Sequence, residues 1–285
     1  MKQALLILLA TVAGTYAAAS LKVRAGDLSS ANYHIPMPLT VAEALAQSWT
    51  LTSRPENSLL PSLILYCHES RKACVLYDDT ENIAGYQEAF PTDELTDAVY
   101  DWGVQGYTKW TPSDDGKVYY ATQLYFVTEE YLATSKADRL SSRNASTVLQ
   151  LDGMWVSGFN GELVKLPKNF EEDENTDFTK QVCSATMGYH YYYKFSKDLV
   201  CSAETLFPWF PMAISGRLVS LGVLAYGKMP EQDFDVCERY SRAVTEYIAP
   251  AAPECFYDLA DSPGILSTHI FFDLDDPSAI QCPSS

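Results

Sequence analysis

The stretch that most constrains the fold runs from Cys183 to Tyr226. It contains two cysteines, an aromatic cluster and three runs in which side chains alternate as they do along β-strands. Residues 218–225 are largely apolar on both faces, which indicates a central strand in a sheet. In the run 188–195 the alternation predicts one wholly aromatic face, formed by Tyr189, Tyr191, Tyr193 and Phe195.

Hairpins are predicted wherever two such runs flank turn-forming residues. Residues 63–67 and 74–77 flank a polar loop, and residues 109–110 and 119–120 flank a Pro-Ser-Asp-Asp-Gly turn. Residues 148–166 form a third hairpin that turns at an Asn-Gly pair. The chain is therefore predicted to be α+β and predominantly antiparallel β, with short helices packed on the sheets and disulfides that stabilise them.

The clearest helical pattern covers residues 231–248. Its apolar stripe includes Cys237, Tyr240 and Val244, while Glu238 and Arg242 lie four residues apart on the outside, where opposite charges pair. Shorter helices are predicted after Thr40, which forms a capping box with Glu43, and after Thr128.

The two halves of the chain show a weak internal repeat. The strand–turn–strand run 74–90 aligns with 210–227, and the late strand 120–130 aligns with 266–276. A polar, Ser-rich segment separates the two sets. We predict two related β-rich halves, residues 20–140 and 148–285, either separate or joined in one continuous domain.

Residues 1–19 are typical of a secretory signal peptide. Lys2 supplies the positive charge, an apolar run follows, and Ala17-Ala18-Ala19 before Ser20 forms an A-x-A cleavage site. The apolar run is shorter than the ~20 residues that a membrane anchor needs. No later segment is predicted to span a membrane. Removal of 19 residues from the 285-residue chain leaves 266, and the mature protein is predicted to be secreted and extracellular.

The chain is strongly acidic, with a net charge of −17 that becomes −18 when the single lysine of the signal peptide is lost. Nucleic acids and anionic membranes are bound through lysine and arginine contacts to phosphate, so this charge argues against both as partners. A small ligand or an extracellular protein is the expected partner.

All seven cysteines lie in the predicted mature chain, which indicates disulfides in an oxidising compartment. Cys67 and Cys74 face each other across the first hairpin, and Cys183 and Cys201 bracket the aromatic strand; both pairs are predicted to be bridged. The other three cysteines, Cys237, Cys255 and Cys282, then share one bridge and leave one thiol either free or intermolecular. Asn144 begins the only N-x-[ST] sequon and is a predicted glycosylation site.

The runs FTKQVCSATMGYHYYY, CSAETLFPWF and GRLVSLGVLAYG, with YCHESRKACVLYDD before them, resemble a family of secreted invertebrate proteins. The resemblance extends from about Trp49 onward. Its most specific parts are Cys183, Met187-Gly188, residues 190–193, Cys201 and residues 207–210. It implies secretion and a shared fold, but no activity, and Cys237 and Cys282 are additional to the family pattern.

No local catalytic motif is present. The chain contains no G-x-S-x-G or H-E-x-x-H pattern, and the acidic run 173–177 lacks the glycine of a calcium loop. His190 and His269 both lie in predicted strands and can converge in one half, but a hydrogen-bonded histidine is favoured over a metal ligand. No catalytic residue, metal or cofactor is assigned.

The aromatic cluster is the one predicted ligand site, formed by His190, Tyr191, Tyr193, Phe195 and Trp209. Such rings can line a pocket for an apolar or sugar-like ligand, but they equally provide the core of a β-rich fold. The first hypothesis is an extracellular binding or carrier protein. A structural or interaction protein comes second, and a hydrolase without a local motif comes third; an enzyme is the less favoured class.

Overall fold

The structure is a computed structural model that describes residues 18–25, 34–170, 177–231 and 236–283. The predicted signal peptide lies outside the described residues except for its last two, and so does most of the acidic run 171–177.

Strands dominate this part of the chain. They are, in order, β1 (Leu21–Arg24), β2 (His34–Pro36), β3 (Thr50–Thr52), β4 (Ile64–Cys67), β5 (Ala73–Tyr77), β6 (Ile83–Pro91), β7 (Thr108–Trp110), β8 (Tyr119–Tyr125), β9 (Gly153–Ser157), β10 (Leu163–Pro167), β11 (Phe178–Ser184), β12 (Gly188–Tyr193), β13 (Trp209–Ile214), β14 (Arg217–Tyr226), β15 (Glu238–Tyr240) and β16 (Ile265–Phe272). The helices are α1 (Val41–Ala46), α2 (Glu129–Ala133), α3 (Lys136–Ser142), α4 (Arg242–Ile248) and α5 (Glu254–Asp261), with 3-10 turns at Phe159–Gly161 and Pro277–Ala279.

The strands form two eight-stranded antiparallel sheets with the same internal order. Sheet I runs β3-β4-β5-β6-β8-β9-β10, with β7 also paired to β8. Sheet II runs β11-β12-β13-β14-β16-β1-β2, with β15 also paired to β16. Each strand of one sheet thus has a counterpart in the other, which agrees with two similar halves. The predicted fold class is confirmed.

The predicted division of the chain at residues 140–148 does not separate the sheets. The hairpin β9–β10 follows that point but belongs to sheet I, whereas β1 and β2, at the start of the chain, complete sheet II. Sheet II therefore takes its last two strands from the opposite end of the sequence. Local patterns cannot show this exchange, because β1 pairs with residues about 250 positions away.

The two sheets pack face to face around one hydrophobic core. Trp209 of sheet II is fully buried in it and donates its indole N–H to the main-chain oxygen of Ser157 in sheet I at 3.0 Å. The rings of Phe126 and Phe272 meet edge to face at a centroid distance of 5.9 Å. Because apolar side chains of both sheets alternate toward this layer, each sheet is left with a second, outer face.

The outer faces are covered differently. The outer face of sheet II packs against α4 and α5 through a second cluster that includes Phe210, Leu224 and Phe256. The outer face of sheet I is covered by the loop at residues 59–63 and by side chains of α2. Helices on outer faces were predicted, and the capping bond from the Glu43 amide to the Thr40 hydroxyl is present at 3.2 Å.

The helix predicted over residues 231–248 is wrong at residues 238–240. Residues 238–240 form β15, which pairs with β16, and α4 begins at Arg242; residues 232–235 lie outside the described residues. The edge of β16 offers unpaired main-chain groups that a strand satisfies and a helix does not. Arg242 pairs with Glu246 rather than with Glu238, whose side chain is buried.

Three disulfides are present, and one of the predicted pairings is correct. Cys67–Cys74 joins β4 to β5 as expected. The predicted Cys183–Cys201 bridge is wrong, since the structure has Cys183–Cys282 and Cys201–Cys255. Cys183 lies on β11 and faces Tyr189 across the ladder, whereas Cys201 lies in the loop after β12 and is bonded to α5.

The seventh cysteine, Cys237, is in no disulfide and is 1% exposed. A buried thiol cannot bridge two folded copies, so the intermolecular alternative does not apply to this conformation. Asn144 is exposed on the loop after α3, where its side-chain oxygen accepts a hydrogen bond from the Ser146 amide at 3.0 Å. In the ranges described here, no helix is long and apolar enough to cross a membrane.

Candidate functional site

The predicted aromatic site is divided between the two faces of sheet II. Tyr191, Tyr193 and Trp209 face the core between the sheets, whereas His190 and Phe195 lie on the outer face. Phe195 changes face because Lys194 adopts a left-handed conformation, with φ 51°, that ends the alternation of β12. Tyr191, Tyr193 and Trp209 are therefore part of the core. A space is present on the outer face of sheet II, next to His190.

That space is a cavity of about 20 Å³ between the outer face of sheet II and helices α4 and α5. A volume of this size admits about one water molecule. Its walls are mostly aromatic or aliphatic and carry a few polar groups; they comprise His190, Tyr192, Phe210, Leu224, Tyr240, Thr245, Ile248, Phe256, Ile265, Ser267 and His269.

A buried carboxylate supports one wall of the cavity. Glu238 on β15 is 0% exposed and accepts from Nδ1 of His269 at 2.8 Å and from the Tyr240 hydroxyl at 2.7 Å. Arg24 of β1 approaches the same carboxylate at 3.5 Å. Burial acts to raise the pKa of Glu238, but the positive and hydrogen-bonding partners, His269 first, hold that pKa below its usual range.

The ionised Glu238 fixes the orientation of His269. Because a carboxylate can only accept, Nδ1 of His269 carries the proton in this bond, and its Nε2 edge is turned away from Glu238. The phenol of Tyr240 remains protonated, since burial and the adjacent Glu238 raise its pKa well above 10.

His190 lies beside this pair, with its ring centroid 6.3 Å from that of His269. The sequence-based prediction that these two histidines converge is confirmed. Burial, and the neighbouring His269 after it, lowers the pKa of His190 to about 3, so the ring is neutral at physiological pH. It stacks on Phe210 at 5.9 Å and on Tyr192 at 6.4 Å.

Two polar atoms of the cavity wall have no protein partner among the described residues. They are Nδ1 of His190 and the hydroxyl of Ser267, both on side chains that are 1% exposed. Buried polar groups are almost always hydrogen-bonded, to protein or to a bound molecule. These two atoms identify the side of the cavity at which a bound group would be held.

The rings around the cavity depend on one glycine. Gly222 of β14 lies opposite Phe210, and a Cβ atom at this position would be 1.9 Å from Cζ of that ring. The absence of a side chain at residue 222 lets the Phe210 ring lie across β14 and form the floor beneath the two histidines.

Sheet I has the same arrangement, but a side chain occupies the equivalent space on its outer face. Gly85 pairs with Leu76 and Tyr125, as Gly222 pairs with Phe210 and His269. Here Arg54 occupies the outer face, where it donates to the side chain of Gln123 at 3.3 Å and to the main-chain oxygen of Leu59 at 2.7 Å. The space that is closed by an arginine in sheet I is thus left as a cavity in sheet II.

Helices α4 and α5 cover the cavity, and ion pairs and a disulfide hold this cover in place. Arg242, at the start of α4, pairs with four carboxylates on α4 and α5, two of which are Asp258 at 2.8 Å and Asp261 at 3.1 Å. These pairs are solvent-exposed and each contributes little to stability. The Cys201–Cys255 bridge ties α5 to the loop after β12. The cover is therefore fixed covalently on the α5 side. Between the helices it is held by exposed ion pairs and by the Tyr257 hydroxyl, which donates to the main-chain oxygen of Ala249 at 2.8 Å.

Sequence patterns did not identify Glu238, Tyr240, Ser267 or Phe210 as part of this site. The alternation of β16 places Ser267 on the same face as His269, and this signal was available. The contribution of β15 was hidden because its residues also fit a helical stripe.

In the described ranges, no group of three or more His, Cys, Asp and Glu side chains could hold a metal ion. Comparison of the chain with family models, with curated proteins and with solved structures finds no match.

Proposed function

We propose that the protein is a secreted binding protein whose ligand is held between sheet II and helices α4 and α5. The observation that carries this proposal is the pair of buried, unpartnered polar atoms, Nδ1 of His190 and Oγ of Ser267, in one cavity with aromatic walls. A site that combines apolar walls with a few convergent polar groups is the usual form of a small-molecule site.

The wall chemistry favours an apolar molecule with one hydroxyl group over a sugar. The unpartnered Nδ1 of neutral His190 offers either one acceptor or one donor, and a serine hydroxyl offers both, so together they match a single hydroxyl. A sugar would bury several further hydroxyls against apolar walls, at a cost of several kcal/mol. Because the cavity has room for about one water molecule, a larger ligand enters only when α4 moves away from the sheet.

Native mass spectrometry of protein secreted by its own tissue tests the proposal. We expect an added mass, beyond any glycan on Asn144, that leaves on denaturation. Ser267→Ala and His190→Phe are expected to lose it. Thr122→Val is the matched control, since Thr122 is also a buried hydroxyl without a described partner but faces away from the cavity. A bare wild-type chain would contradict ligand binding and favour the interaction protein.

One observation favours an enzyme as the second candidate. Glu238 holds the Nδ1–H of His269 at 2.8 Å, which is the arrangement that orients a histidine base in many hydrolases. His269 is only 1% exposed, so a substrate would have to open the cover first. A panel of ester and glycoside substrates tests this candidate: turnover that His269→Gln abolishes and His68→Gln retains would support it.

Secretion belongs to the same proposal. It is supported by three disulfides, which persist in oxidising compartments, and by the exposed position of the Asn144 sequon. Intact-mass measurement of the secreted protein, before and after glycan removal, is expected to give a chain that begins at Ser20.

A further inference from the structure

We propose that Asp273 binds the ammonium group that removal of the signal peptide creates at Ser20. The inference rests on the proposed secretion and on cleavage after Ala19. It assigns a binding site, at the end of β16, whose ligand is the amino terminus of the mature chain.

The geometry places the future terminus against a carboxylate. Ser20 directly precedes β1, and its main-chain nitrogen lies 3.4 Å from Oδ1 of Asp273. The Asp273 amide in turn donates to the main-chain oxygen of Ser20 at 2.8 Å, and the Ser20 hydroxyl donates to the oxygen of Leu274 at 3.0 Å. Ser20 is thus held on three sides before any cleavage occurs.

The conformation of Asp273 serves this contact. Its φ of 53° lies in the left-handed region, which few residues other than glycine adopt. This turn ends the β1–β16 ladder and places the side chain, rather than a main-chain oxygen, opposite the nitrogen of Ser20. A strained conformation at a half-buried acid is explained if that acid has a partner to hold.

The hydrogen-bond donors to Asp273 in the described structure are neutral, although Lys168 interacts with its charge. Its Oδ1 accepts from the Val148 amide at 2.8 Å, and its Oδ2 accepts from the Thr147 hydroxyl. Lys168 and Arg217 line the same recess of about 210 Å³, and the Lys168 ammonium donates to the oxygen of Leu149. No ion pair to Asp273 is present within the described ranges.

Cleavage changes what Ser20 offers. Signal peptidase adds water across the Ala19–Ser20 peptide bond, which leaves a carboxylate on Ala19 and an ammonium on Ser20. One amide donor at a long 3.4 Å becomes a charged group with three donors, and charge-assisted hydrogen bonds are shorter and stronger than neutral ones. The cleaved segment takes away the bond from the Ala19 amide to the Ala145 oxygen, 3.3 Å in length.

The positively charged side chains in the recess weaken the ion pair between the Ser20 ammonium and Asp273. Lys168 and Arg217 repel a third cation, so the ion pair raises the pKa of the α-amine above its ordinary value of about 8 by less than an isolated pair would. We expect the pKa of the Ser20 α-amine to rise, because Oδ1 of Asp273 lies against the Ser20 nitrogen, whereas the Lys168 ammonium donates to the main-chain oxygen of Leu149.

A double-mutant cycle tests the proposal on full mature chains. Four proteins are compared: chains that begin at Ser20 or at Ala19, each with Asp273 intact or with Asp273→Asn. We expect the chain that begins at Ser20 to have the higher urea midpoint when Asp273 is present. In Asp273→Asn this advantage is expected to be lost or reversed, because only the longer chain keeps the bond from Ala19 to the Ala145 oxygen. Asp275→Asn, an exposed acid two residues further on, is the control in which the difference is retained.

The α-amine pKa, followed by NMR of the labelled terminus, gives a second readout that a general loss of stability does not move. We expect a value above about 8 that returns to about 8 in Asp273→Asn. Equal or greater stability of the chain that begins at Ala19 when Asp273 is present, or an ordinary pKa, would overturn the ion pair. An intact mass that starts elsewhere than Ser20 would overturn the cleavage itself, and neither result bears on the ligand cavity.

Discussion

Replacement of His190 by phenylalanine is expected to make the protein less sensitive to acid. In the folded chain the pKa of His190 is about 3, whereas a histidine in the unfolded chain titrates near 6.5. A lowered pKa in the folded state means that the unfolded chain binds more protons between these values. The stability that neutral His190 allows is thus complete above pH 6.5 and is lost as the pH falls.

The magnitude follows from the two pKa values. Between pH 7.5 and pH 5.0 the linkage relation gives a loss of about 2 kcal/mol from this one side chain. The free energy of unfolding of a typical domain is only about 5–15 kcal/mol, so the effect is measurable. The titratable group nearest to His190 is His269, 6.3 Å away between ring centroids, and it contributes to the lowered pKa.

Urea unfolding at pH 7.5, 6.5, 5.5 and 5.0 measures the effect. Wild-type protein is expected to lose about 2 kcal/mol more than His190→Phe over this range. The readout is the change with pH, so a constant loss of stability in the variant does not obscure it. His190→Gln provides a second variant that cannot titrate. His68→Gln, at a half-buried histidine whose pKa burial also lowers, is the comparison and is expected to remove less of the acid sensitivity. If both His190 variants keep the full acid sensitivity of the wild type, the buried neutral histidine is refuted.

Three further changes test the support of the cavity by urea unfolding. Glu238→Gln removes the charge that compensates a buried arginine and is expected to cost about 3–5 kcal/mol, whereas Glu246→Gln, at the surface, is expected to cost less than about 0.5 kcal/mol. Gly222→Ala forces a buried ring out of its position and is expected to cost about 1–3 kcal/mol; a neutral effect would contradict the close approach. The double change Cys201→Ser and Cys255→Ser opens a 54-residue loop and is expected to cost about 4 kcal/mol by chain entropy, with unchanged stability as the contrary result.

Local structure could be predicted from the sequence because its causes are local. The β4–β5 hairpin, its Cys67–Cys74 bridge and the Thr40 cap each depend on residues within about ten positions of one another. Turn residues and alternation specify such elements directly. The predicted hairpins at β7–β8 and β9–β10 were confirmed for the same reason.

Long-range partners could not be predicted in this way. Cys183 pairs with a cysteine 99 positions away, and Cys201 pairs with one 54 positions away. Nothing in the spacing of these cysteines distinguishes these pairs from the adjacent pair that was predicted. Residues 238–240 satisfied a helical stripe and a strand equally well, and the free edge of β16 determined the outcome.

One contact of the candidate site, that between His190 and His269, could be predicted from the sequence. The other contacts could not. The convergence of His190 and His269 follows from two strands of one sheet, and the sequence indicates both strands. The choice of face did not follow, because the run of tyrosines in β12 looks like the more obvious binding surface. Tyr189, Tyr191 and Tyr193 pack in the apolar core between the sheets, whereas His190 and Tyr192 lie on the other side.

Strand β1 connects the two proposals. β1 completes sheet II by pairing with β16, and its last residue, Arg24, brings a positive charge to Glu238 beneath the cavity. Ser20, which directly precedes β1, contacts Asp273 at the other end of the β1–β16 pairing. A terminus that is anchored at Asp273 therefore fixes the register in which Arg24 reaches Glu238. Because the Arg24–Glu238 contact is already present in the uncleaved chain, removal of the signal peptide is expected to strengthen this register rather than to create it.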